Sequence, residues 1–238
     1  MKKLFESQLR RAGGILMLMA VALMSLPLLH SCDLDDDSGY NDYSRRVPNA
    51  IVTVKTDADS HVYLQLDDST TLYPENLTAS PYGGKEVRAF VNFTEKRENA
   101  SKYSRTVYVN WMDSVLTKPM MPSKGDGNDA AYGNDPLEIL KGFPTVCEDG
   151  YLTLAVGTRW GMDGTKHLVN LLYGVNPDDP YEVELRQNAY GDTEGKYAYT
   201  TVAFSLKNLP STGGKTVKLK VKFLSFEGEK TAEFDYKN

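Results

Sequence analysis

Val217-Lys218-Leu219-Lys220-Val221-Lys222-Phe223 alternates apolar and cationic residues without a slip. Successive side chains of a β-strand point to opposite faces, so a period of two predicts a strand with one buried and one wet face. Downstream, Glu227-Gly228 supplies a turn, and Ala232, Phe234 and Tyr236 alternate with Glu233 and Asp235. The two runs read as a hairpin. Upstream the pattern recurs. Val202, Phe204 and Leu206 share one face; Val183 and Leu185 alternate with Glu182, Glu184 and Arg186. A strand is expected around 168–173, and Leu152, Leu154 and Val156 mark another that ends in a glycine-rich loop, 157–164. Amphipathic strands separated by turns predict an antiparallel β-sandwich over residues 135–238.

Residues 49–121 carry shorter strands. Val52 and Val54 alternate with polar neighbours, as do Val62, Leu64 and Leu66. A short run at 70–73 ends at Pro74; Val87, Ala89, Val91 and Phe93 make a fourth signal, and Val107, Val109 and Trp111 a fifth. Strands packed this densely suit a small closed barrel, which has no exposed edge. The class is therefore all-β. Between the two regions, 122–134 is rich in Gly, Asp and Asn and reads as a linker. Asp135-Pro136-Leu137-Glu138 then carries a helix-start signature, a capping Asp with Pro at the first helical position; Gly142 and Pro144 limit it to one or two turns.

The chain begins with a processing segment, 1–31. Lys2, Lys3, Arg10 and Arg11 precede an apolar run from Ile15 to Met24, interrupted further on by Ser25 and Pro27. That run falls short of the ~20 apolar residues a membrane-spanning helix needs, and it reads as the core of a signal peptide. Leu29-His30-Ser31-Cys32 resembles the bacterial lipobox, with His30 an unusual occupant. Cleavage before Cys32 and acylation of its thiol would anchor the chain without a transmembrane helix. Residues 32–48, with Asp33, Asp35, Asp36, Asp37 and Asp42, read as a flexible acidic tether. The acidic run is either an export signal to the cell surface or a solvated spacer. Cleavage removes four positive charges and one negative, taking the formal net charge from −5 to −8.

Charge and motifs narrow the function. An acidic chain gains nothing from counterion release, so nucleic acid is not an expected partner. The only other cysteine, Cys147, sits among apolar residues and reads as structural. His61 and His167 lie in no metal-ligand spacing, and Asp126-Gly127-Asn128-Asp129 fails the calcium-loop pattern with Ala130, Ala131 and Leu137 at the required positions. No catalytic constellation, cofactor or metal is expected. Arg159, Trp160 and Met162 are candidate partner contacts, because Arg and large aromatic side chains are enriched in binding hot spots; alternatively Trp160 folds back over the end of the sandwich. The stripe Lys218, Lys220, Lys222 would attract an acidic partner or, more simply, keep an exposed sheet soluble.

Taken in order, these segments resemble the NigD-like lipoproteins. The likeness runs from Cys32 to Asp37, through Leu64-Gln65-Leu66-Asp67-Asp68 to Pro74, Val87 to Phe93, Val107 to Leu116 and Gly133 to Leu140, and ends with Arg186 to Tyr190 and Phe226 to Thr231. The resemblance implies an N-terminal OB-like barrel, a C-terminal β-sandwich and a Gram-negative envelope lipoprotein. It carries no catalytic residues. The expected function is a non-enzymatic, outer-membrane-anchored binding module facing periplasm or exterior, with a glycan or protein ligand; the alternative is a bacteriocin immunity or inhibitor protein.

Overall fold

A computed structural model describes residues 46–98, 102–161 and 164–238. The processing segment, Cys32 and the expected tether as far as residue 45 lie outside the described residues. No described helix is long and apolar enough to cross a membrane.

Five strands close a barrel: β1 (Ala50–Thr56), β2 (Val62–Gln65), β3 (Thr71–Pro74), β4 (Val87–Glu95) and β5 (Arg105–Ser114), in the order β1-β2-β3-β5-β4 with β4 returning to β1. β3 and β5 run parallel; the other pairs are antiparallel. The alternation seen in the sequence fills the interior. Val52, Val54, Leu64, Leu72, Ala89, Val91 and Val107 are all fully buried. Burying each Val or Leu side chain among them stabilises by about 1.5–3 kcal/mol. The register shift between Asn92 and Phe93 leaves Asn110 of β5 as an extra, unpaired residue, a bulge that bends β5 as bulges do at barrel corners.

The sandwich has two sheets. One is ordered β6 (Leu116–Pro119), β13 (Lys196–Ser205), β10 (Tyr151–Trp160), β8 (Glu138–Leu140), with β9 (Val146–Glu148) also pairing β10. The other is ordered β15 (Gly228–Tyr236), β14 (Val217–Ser225), β12 (Glu182–Asn188), β11 (Leu168–Tyr173), β7 (Met121–Pro122). Leu152, Leu154, Val202 and Phe204 meet Leu171, Val183, Leu185, Leu219 and Val221 between them. The sandwich is antiparallel apart from three parallel pairs, β6–β13, β7–β11 and β12–β14. The last arises because the chain leaves β12 for β13 in the opposite sheet and then returns.

Three local expectations differ from the structure. Leu116–Pro119 and Met121, expected at the end of the barrel, and Pro122, expected in the linker, pair with sandwich strands, and barrel pairing stops at Ser114. The expected linker is packed: α1 (Asn128–Tyr132) buries Asn128 and Tyr132, and the Tyr132 hydroxyl donates to the Pro122 carbonyl. The helix expected from 135 is instead strand β8. Asp135 accepts a hydrogen bond from the Ala189 N–H, and the Leu137 N–H donates to the Leu224 carbonyl. Cross-strand partners thus take the groups that a helical cap would have used.

The barrel docks through β1 and β4 onto the outer face of β10 and β13. Ile51, Val115 and Ala203 form a small apolar cluster there, joined by Phe90 and Val146. Arg88 lies fully buried beside it. Its Nη1 donates to Thr53 Oγ1 at 3.1 Å and its Nε to Thr153 Oγ1 at 3.3 Å. The Asp149-Gly150 turn between β9 and β10 has positive φ at both residues, as a two-residue hairpin turn requires. The barrel holds this turn: Lys55 pairs with Asp149 at 2.7 Å, and the Asp149 N–H donates to Asp68.

Candidate binding surfaces

Strand parity decides which side chains of β10 and β13 can meet a partner. Leu152, Leu154 and Val156 point into the sandwich, opposite Phe204, Val202 and Thr200. Thr153, Ala155, Gly157 and Arg159 therefore share the outer face with Ala203, Thr201, Tyr199 and Tyr197. The barrel covers the Thr153–Ala203 half of that face. The other half is bare, and aromatic side chains stand on it: Tyr199 is 71% exposed and Tyr197 51%.

The expected contact residues separate here. Arg159 is exposed on the bare half, with its guanidinium 6.0 Å from the centre of the Phe226 ring. Trp160 has the inward parity, and its ring lies 5.1 Å from that of His167. Met162 lies outside the described residues. The glycine-rich loop expected from 157 begins later, because β10 continues through Gly157 to Trp160. A Cβ on Gly157 would sit 2.0 Å from the Tyr197 hydroxyl oxygen, so this glycine provides room for a tyrosine lying across the strand.

Beneath Trp160, polar side chains close the end of the sandwich. The His167 ring is buried, its Nε2 3.1 Å from Asp192 Oδ2 and its Nδ1 3.2 Å from Gln187 Nε2. Gln187 also donates to Thr158 Oγ1 at 2.9 Å, and Asp192 accepts from the Gly161 N–H at 2.8 Å. These contacts hold the β10 terminus, which is a structural role, while Gln187 Oε1 is buried without a hydrogen-bond partner among the described residues.

Other candidate groups have partners as well. Lys218 pairs with Asp235, Lys220 with Asp179 and Lys222 with Glu182, all within 2.9 Å, so the lysine stripe is a row of ion pairs. Cys147 is packed against the sandwich core, and burial pushes its thiol up to about 12, where the nucleophilic thiolate is not formed at neutral pH. Asp57, Asp59 and His61 converge after β1 closely enough to suggest ligation. Yet Lys102 Nζ already stands 2.8 Å from Asp57 and 3.6 Å from Asp59, and Asp57 Oδ1 accepts from the N–H groups of Asp59 and His61. Between barrel and sandwich lies a cleft of about 580 Å³, whose lining includes Lys85, Glu86, Asp149, Tyr151 and Lys207.

Tyr197, Tyr199 and Phe226 were not among the expected contacts. Their signal is present in the sequence: tyrosines two apart in a strand otherwise polar at its start put two rings on one face.

Comparison with known proteins follows the same two bodies. Residues 51–115 match the NigD-like N-terminal OB domain and residues 119–236 the NigD-like C-terminal beta sandwich domain. A crystal structure from Parabacteroides distasonis, called toxin-related, is similar at 35% identity and a TM-score of 0.64, over 79% of this chain and 92% of that one. A protein from Bacteroides caccae called a NigD-like immunity protein shares the fold at 16% identity and a TM-score of 0.55, over 79% and 95%. One from Bacteroides fragilis, called a lipoprotein, does so at 15% and 0.52, over 79% and 97%. No curated protein matches the chain. With both family domains present in order over most of its length, the chain belongs to the NigD-like family of an N-terminal OB domain joined to a C-terminal β-sandwich.

Proposed function

We propose that this protein is a non-enzymatic envelope lipoprotein, acylated at Cys32 and held on the outer membrane, that binds a protein partner through the bare half of the β10–β13 outer face. One observation carries the reading. The face is continuous, and its first half is already an interface, filled by the barrel; its second half presents Tyr197, Tyr199 and Arg159, residue types enriched where proteins bind one another. The sheet beneath is rigid, with the full length of β10 paired to β13. The family assignment and a relative called a lipoprotein support the anchor.

The test is a photo-crosslinking residue at position 199 of the full chain in intact cells. A discrete adduct that weakens on Arg159→Ala supports the surface; no adduct, or one equally strong from position 207, refutes it. Cys32→Ser should abolish labelling by radioactive palmitate and release the chain from the membrane fraction. Retention of either signal refutes the anchor.

A second reading is an immunity or inhibitor protein. The toxin-related and immunity names of its relatives favour it. The crosslinked partner decides: a secreted toxin supports immunity, a resident envelope protein the more general role.

A further inference from the structure

A different arrangement occupies β2 and β3, away from the docked strands β1 and β4. Val62, Leu64, Leu72 and Pro74 point into the barrel, so Tyr63 and Tyr73 point out. The Leu64–Leu72 register places these two tyrosines side by side, one position further along. Across them lies a third ring from the segment between β4 and β5. Tyr103 is stacked on Tyr63 with centroids 5.3 Å apart and planes 19° apart, and on Tyr73 at 5.9 Å and 0°. Its hydroxyl donates to Asp57 Oδ2 at 2.6 Å, and Lys102 Nζ reaches the same oxygen at 2.8 Å. The turn after β1 and the segment before β5 thus hold one flat ring against an aromatic face.

We infer that the β2–β3 face is a binding site for a pyranose ring of a neutral glycan, filled in the free protein by the chain's own Tyr103. The inference rests on the binding-protein reading and names a second ligand site for it. Tyr103 displays what such a sugar would bring, a flat apolar face for the tyrosines and a rim hydroxyl that donates to a carboxylate. Other ligands fit less well. A nucleic-acid or phosphate ligand would meet Asp57 and Asp59 with Lys102 between them. An extended peptide needs an unpaired strand edge, and the closed barrel offers none. OB barrels also bind oligosaccharides on this side.

Self-occupancy gives the test its sign. A site filled internally binds more weakly by the fraction of time it is open. The full chain in detergent is run through native gels containing laminarin, galactomannan or amylopectin. Tyr103→Ala should be retarded by at least one of them, with an apparent affinity about tenfold above wild type. Adding Tyr63→Ala or Tyr73→Ala to that variant should remove the retardation. Lys102→Ala, which removes the ammonium that pairs with Asp57 and lies 5.5 Å from the centre of the Tyr103 ring while leaving all three tyrosines in place, should shift affinity the same way by a smaller factor; it serves if Tyr103→Ala folds poorly. No retardation of any variant in any gel overturns the inference, as does retention that survives loss of both Tyr63 and Tyr73. Either result leaves crosslinking at position 199 untouched, so the two proposals fail separately.

Discussion

Replacing Gly157 by Ala should change sign with the identity of residue 197. In the wild-type background the new Cβ meets Tyr197 at 2.0 Å from Oη, 2.5 Å from Cζ and 3.2 Å from Cε1, so the ring must leave. Tyr197 is 51% exposed, so roughly half of its side chain is at stake. Of the ~200 Å² a tyrosine can bury, that is about 100 Å², or about 2.5 kcal/mol at ~25 cal/mol per Å², an upper bound because denatured chains also bury surface. Against this, Ala in a strand interior is favoured over Gly by about 0.5–1 kcal/mol. The net cost should be about 1–2 kcal/mol, or a fall in Tm of a few degrees for a body of this size. In a Tyr197→Ala background the obstructing ring is gone, and Gly157→Ala should stabilise by about 0.5–1 kcal/mol. Urea unfolding of the four variants, followed by tryptophan fluorescence, gives the coupling, expected near 2 kcal/mol. If the two substitutions add within about 0.5 kcal/mol, the two sites are independent and the argument that Gly157 makes room for Tyr197 is wrong.

Other outcomes follow from the buried polar groups. Arg88→Met should leave the urea midpoint unchanged or raise it, since the guanidinium bonds only neutral hydroxyls and its Nη2 lacks a partner; a loss above about 3 kcal/mol, the range for breaking a buried ion pair, refutes this. Lys102, then Tyr103 and the His61 N–H, hold the Asp57 carboxyl well below the usual carboxylate range. A depressed folded pKa gives stability that is present above the unfolded value of about 3.9 and lost as pH falls through the folded one. Asp57→Asn should therefore be less stable than wild type at neutral pH and converge with it in strong acid; a gap that persists there would show that charge is not the cause. Cys147, with its thiol near 12, should resist iodoacetamide at pH 8 in the folded protein and react once unfolded, as read by peptide mapping. Rapid native labelling would mean β9 opens.

Strand identity was legible because one face of most strands is apolar, and the period survives any packing partner. What the sequence could not display is where the second face of a strand is also covered. Arg88 alternates with Val87 and Ala89 as a solvent-facing residue would, yet it is fully buried because β4 docks on β10. The same docking buries Thr53 and Thr153. Asp135-Pro136 read as a helix start because capping chemistry is local, whereas the Ala189 N–H that captures Asp135 is 54 residues away. Gly157 read as a loop because glycine's commonest use is a turn; its use here depends on a tyrosine in a strand forty residues on. Of the candidate surface, Arg159 was singled out from its residue type and is exposed, whereas Tyr197 and Tyr199 acquire meaning only once β13 is placed beside β10.

The docked geometry joins the two candidate surfaces. β10 runs under the barrel from Tyr151 to Ala155 and carries the bare face at Gly157 and Arg159, so one strand belongs to both interfaces. The apolar cluster under the barrel is small, and polar contacts cross the joint beside it: Arg88 to Thr153, Lys55 to Asp149, and Tyr151 to Glu86. Such contacts fix orientation more than they add affinity, because their desolvation cancels much of their attraction. These contacts keep the β2–β3 face and the β10–β13 face at a set relation. Partners engaging both faces would then bind as a linked pair, their joint affinity set by that relation rather than by a flexible linker.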